Sequence, residues 1–181
     1  MPLLAAGKLQ NIYAALDLWL ATELTTNAGL IVRDHGVRRF VPPTDDPWVE
    51  AHYDFLGLQS QFLRQAGGTR DSIRSPGYDE SVYAIERRGQ LQLNIYQRAR
   101  TFTTRYTTVV ARDKVVSAFP DGAVIPVYDV ASGVSEGIPL AGNILCDGVE
   151  GESVVDDGMR SGLTQHAVMV ATRYLELYTR G

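Results

Sequence analysis

The chain has 181 residues, 45% of them hydrophobic, and a net charge of −4. That length fits one domain with a real core and the composition excludes wholesale disorder. One cysteine, Cys146, excludes an internal disulfide and fits a reducing compartment, and no stretch approaches the ~20 apolar residues of a membrane span. Met1 to Ala6 lacks the basic start of a signal peptide.

The first predicted element is an amphipathic helix, Leu4 to Leu24. Leu9, Ile12, Tyr13, Leu16 and Leu20 recur at three- and four-residue spacing and form one apolar stripe. Thr25, Thr26, Asn27 and Gly29 end it, because Asn and Gly tolerate the left-handed turn after a helix. Leu30 to Val32 is a short strand candidate. Pro42, Pro43, Asp45, Asp46 and Pro47 form a loop. In Trp48 to Phe55, Val49, Ala51, Tyr53 and Phe55 alternate with Glu50, His52 and Asp54, which gives a half-buried strand. Gly57 to Glu80 is broken by Gly67, Gly68, Ser75, Pro76 and Gly77 and reads as a long excursion, either a tolerated insertion or a partner-binding loop.

Ser81 to Tyr96 reads as two β segments or one strand bent at Arg87, Arg88 and Gly89. Leu91, Leu93 and Ile95 share one face; Gln90, Gln92 and Asn94 share the other. A central helix follows, Thr101 to Phe119, with Thr101, Thr103 and Thr104 as N-cap hydroxyls and Phe102, Tyr106, Val109, Val110 and Phe119 as its apolar face. Pro120, Asp121 and Gly122 stop it. Val124 to Tyr128 and Ile138 to Leu145 are strands. Leu163 to Tyr178 fits a strand or a helix; its β-branched and aromatic content favours the strand, placed centrally and covered on both sides by the two helices. The fold class is therefore α+β: a mixed, mostly antiparallel sheet flanked by an N-terminal and a central helix, in a single domain over 1–181.

The charge is split along the chain. Arg87, Arg88, Arg98, Arg100, Arg105, Arg112 and Lys114 are opposed locally only by Asp113, and Val115 to Met159 holds no Lys or Arg while carrying Asp147, Glu150, Glu152, Asp156 and Asp157 among its acids. Three readings are open: intramolecular pairing, complementary surfaces on neighbouring subunits, and nucleic-acid binding, which the negative total and the lack of a recognised motif disfavour.

Catalytic chemistry finds little to stand on. His35, His52 and His166 are far apart and out of metal-ligand spacing. Cys146 has no histidine nearby in sequence, and the acids of Glu150 to Asp157 lack the alternating oxygens and fixed glycine of a calcium loop, so they read as a solvated loop. No phosphate loop or dinucleotide fingerprint is present. The expectation is a protein without catalytic residues, metal or cofactor.

The order of elements carries a resemblance. An N-terminal amphipathic helix, a Trp48-Val49 strand after a proline-rich loop, and an Arg-Gly-Gln-Leu-Gln-Leu-Asn-Ile strand leading into one Thr/Val-rich helix precede a closing strand, Gln165 to Tyr178. This resembles the tail terminator (tail completion) proteins of long-tailed bacteriophages, best over Gly89 to Phe119 and over most of the chain outside Gly57 to Glu80. The resemblance implies a structural virion protein, a homohexameric ring at the head-proximal end of the tail. Such a ring stops polymerisation of the tube, meets the tail tube protein and the head-completion or neck protein, and passes DNA through its lumen without sequence-specific binding. Assembly takes place in the host cytoplasm. Under that reading Arg87, Arg88, Arg98, Arg100, Arg105 and Arg112 are candidates for a basic subunit interface. Asp147, Glu150, Glu152, Asp156 and Asp157 are candidates for an acidic lumen or axial surface that repels phosphates. Another head-tail connector, a head-closure or adaptor protein, is the alternative, and an enzyme of unknown type a more distant one.

Overall fold

The computed structural model describes residues 5–33, 40–54, 82–98, 104–130, 140–156 and 162–179. The excursion at 57–80 lies outside them. A 3₁₀ turn, Ala5–Gly7, leads into α1, Leu9–Trp19. The single helix expected to Leu24 instead loosens into a π-helical stretch, Leu20–Asn27. The apolar stripe survives the change, because Ile12, Ala15, Leu16, Leu20 and Leu24 are all buried. The stop is the expected one. Ala28 and Leu30 donate backbone N–H groups to the Glu23 and Leu24 carbonyls at 3.0 and 2.8 Å. Gly29 takes φ 66, a conformation costly for any residue with a Cβ.

Six strands follow: β1 Ile31–Arg33, β2 Trp48–Asp54, β3 Val82–Arg98, β4 Val124–Tyr128, β5 Leu140–Asp156 and β6 Leu163–Thr179. They form one sheet in the order β1-β2-β3-β6-β5-β4. The β1–β2 pair is parallel and every other pair antiparallel. The expected α+β class holds, with the closing segment a central strand.

Three expectations about the elements are corrected. The bend at Arg87, Arg88 and Gly89 does not form: β3 pairs with β6 in unbroken register from Val82↔Thr179 to Arg98↔Leu163. The fourth expected strand, Ile138 to Leu145, extends instead to Asp156, so the acidic stretch is strand and not loop. Two register shifts between Cys146 and Gly151, with Gly148 at φ 84, break its period of two, and a bulge of this kind hides a strand from a pattern search. The central helix α2, Thr104–Ala118, turns a different face inward. Thr108, Ala111, Val115 and Ala118 are buried, with Phe119 just beyond the helix, whereas Val109 and Val110 are 48% and 40% exposed. Phe102 lies outside the described residues, as does the side chain of Tyr106.

The two helices do not sandwich β6. Both pack on one face, where Val49, Ala51, Leu91, Leu93, Ile95, Val168, Val170, Tyr174, Ile144 and Cys146 join Ile12, Leu16, Val115 and Phe119 in one core. Each such side chain, fully buried, contributes about 1.5–3 kcal/mol over leaving it exposed. Trp19 seals the helix pair by donating Nε1–H to the Ala118 carbonyl at 3.1 Å. On the opposite face Trp48 stacks on Tyr96, with centroids 5.6 Å apart. Gln92 and Gln165 both donate to Asn94 Oδ1, at 2.9 and 3.0 Å. The three amides satisfy one another across two strands, which lets Asn94 be only 3% exposed without an orphaned polar group.

The sheet is uneven along its length. Among the described residues, β2 pairs with β3 from Trp48↔Tyr96 to Asp54↔Gln90, and β5 with β6 from Ile144↔Tyr174 to Asp156↔Thr164. Beyond those points, among the described residues, Val82–Glu86 and Leu175–Thr179 pair only with each other, as a two-stranded ribbon.

Candidate functional site

The densest group of charged side chains sits where α2 crosses β5 and β6. Arg112, on α2, donates Nε–H to Glu152 Oε2 at 2.8 Å and a second bond from Nη2 to Glu152 Oε1. Its Nη1 reaches Asp113 Oδ1 at 2.9 Å. His166 Nε2 meets the same Glu152 Oε2 at 2.9 Å. The sheet geometry explains the meeting. Glu152 opposes Val168 across β5–β6, so its side chain shares the helix-covered face with His166 two residues away. The Arg112 guanidinium, and His166 after it, hold the Glu152 carboxyl down at about 2 although partial burial pushes the other way. Glu152 and then Asp113 in turn hold Arg112 above the ordinary guanidinium range.

Beside it, α2 is tied to β3 by a neutral group. Thr107 and Thr108 both donate to Gln97 Oε1, at 2.5 and 3.0 Å, and Gln97 Nε2 donates to the Asp45 carbonyl at 3.1 Å. The buried Gln97 thus joins the central helix, β3 and the loop before β2. Together the two groups fix α2 on the sheet. The side chains around Arg112 form a brace with fixed charge.

The structure distributes the remaining candidates as follows. Asp147 accepts from Arg173 Nε at 2.8 Å across the neighbouring strand. Arg88 is exposed and lies 3.5 Å from Glu86 on its own strand. Arg87 lies on β3 opposite Tyr174, and Arg98 ends that strand, half-buried. Glu150 is exposed on β5. Arg105 lies in the first turn of α2 and Asp156 at the end of β5, with side chains outside the described part; Arg100 and Asp157 are outside altogether. For Arg112 with Glu152, the basic and acidic segments meet inside one chain, which is the intramolecular alternative. Asp147 is also paired within the chain, by Arg173 of the closing strand, outside the basic segment.

Sequence reasoning missed His166, Gln97 and Arg173 as polar partners. Parity along the β5–β6 pair is the signal that finds two of them, once both strands are known to be continuous. Cys146 is buried, and burial first, then Asp147, pushes its thiol up to about 11, which disfavours the nucleophilic thiolate at neutral pH. His52 is exposed on β2, and His35 is outside the described residues. Among the described residues no group of three or more His, Cys, Asp or Glu is arranged to hold a metal ion. Among the described residues no helix is long and apolar enough to cross a membrane.

Two of the grooves among the described residues are of note. One of about 460 Å³ runs between the end of the π-helical stretch, the start of β2 and the outer side of α2, lined by Leu30, Ile31, Pro47, Val110, Ala111 and Lys114 among others. The other, of about 390 Å³, lies over Asp17, Leu20, Val32, Arg33, Ala51 and Tyr53. The Arg112–Glu152–His166 group lines neither.

No family model matches the chain, and no curated protein matches it. Among solved structures, one chain that is 15% identical superposes with a TM-score of 0.50, over 96% of this chain and 99% of its own. A likeness at that identity shows a shared fold along nearly the whole length and leaves the function to the residues.

Proposed function

We infer that the protein is a tail terminator of a long-tailed bacteriophage. In this reading it is a structural ring protein at the head-proximal end of the tail, halting the tail tube and offering a surface to the neck. The observation that carries the reading is the order of elements within one α+β sheet. α1 comes first, β2 begins at Trp48 after the proline-rich loop, β3 runs into the single helix α2, and the long β6 closes the sheet. Arg112 and Glu152 brace α2 on the sheet, which suits a part whose work is to hold shape under axial load.

The lumen assignment narrows. Asp147 and Glu152 are each matched by an arginine, so they add little net repulsion toward DNA. Glu150 is the exposed candidate on β5 for an acidic lumen or axial face. The ring is a homohexamer, its partners are the tail tube protein and a neck protein, and it works without cofactor or catalysis in the virion.

The test is co-assembly. Purified chain added to polymerising tail tube protein should yield tubes of limited length, each with a six-subunit ring at one end, seen by electron microscopy with a labelled chain. Tubes that grow to the same length with and without it overturn the reading. Label found only on the head-side neck assembly favours the head-closure or adaptor alternative.

A further inference from the structure

We draw no further inference here: the strongest candidate, the largely apolar groove of about 460 Å³ between the end of the π-helical stretch, the start of β2 and the outer side of α2, is an unpartnered surface, and nothing in the structure shows what covers it.

Discussion

The broad end of the sheet and its ribbon end are built from the same two strands, β3 and β6, and differ in almost everything else. At the broad end α1, the π-helical stretch and α2 cover one face. Arg112, Glu152 and His166 brace the helix, and Gln97 ties it to the loop before β2. At the ribbon end each strand has one neighbour among the described residues. The contrast separates two jobs. Burial and braced charge hold the broad end together, whereas among the described strands the ribbon has only its own pairing. Local stability in a folded chain follows the density of such contacts, so the two ends should also open with very different free energies.

The largest effect is expected in the core under the helices. Phe119 is 1% exposed where α2 ends against the sheet. Phe119→Ala should cost about 3–5 kcal/mol in urea unfolding, the sum of lost transfer energy and the cavity left behind. A loss under 1 kcal/mol would mean that the helix-covered face is not the main store of stability. A second, smaller break aims at the polar tie. Gln97→Ala removes the acceptor that Thr107 and Thr108 share and the donor to the Asp45 carbonyl, and a cost of about 1–3 kcal/mol is expected from breaking that largely buried tie.

The charged brace is predicted to be worth less and to show itself through pH. The folded Glu152 carboxyl sits at about 2, below its ordinary 4.5. A depressed carboxyl stabilises the fold above its ordinary value, and that contribution fades as pH falls from there through about 2. Because Glu152 and Arg112 are partly open to solvent, Glu152→Gln should cost only about 1 kcal/mol at pH 7. The cost should shrink toward nothing by pH 2. Chemical unfolding of both proteins at pH 7, 4 and 2.5 measures this; a difference that stays constant across that range means the pair contributes through packing and not charge.

How much of this was legible depended on whether the pattern was local. The helix stop at Asn27 and Gly29, the alternation of Trp48 to Asp54 and the apolar set Leu91, Leu93 and Ile95 all follow from neighbours in sequence, and all are found. The inward face of α2 was misread because Val109 and Val110 look more apolar than Thr108 and Ala111. The close approach of helix to sheet favours the smaller pair, with Thr108 bonded to Gln97. β5 beyond Leu145 was hidden by its bulges. The brace was hidden because Arg112 and Glu152 lie forty residues apart and meet only through the strand order β3-β6-β5, which no single segment encodes. The charge split visible in the sequence was real, but sequence alone left open whether its halves meet within a chain or between chains.

The smallest effect is expected at the ribbon. Leu177→Asp changes a residue whose strand pairs only with β3 at that point among the described strands, so unfolding should shift by clearly less than in Phe119→Ala. Amide hydrogen exchange should find Val82–Glu86 and Leu175–Thr179 opening far more readily than Leu91–Ile95 in the isolated chain, since exchange there needs only local separation of two strands. Leu177→Asp should leave the Leu91–Ile95 amides as protected as they are in the unchanged chain. Protection that is already complete in the dilute monomer would show that the ribbon is covered by its own chain, and the division of labour between the two ends would fall with it.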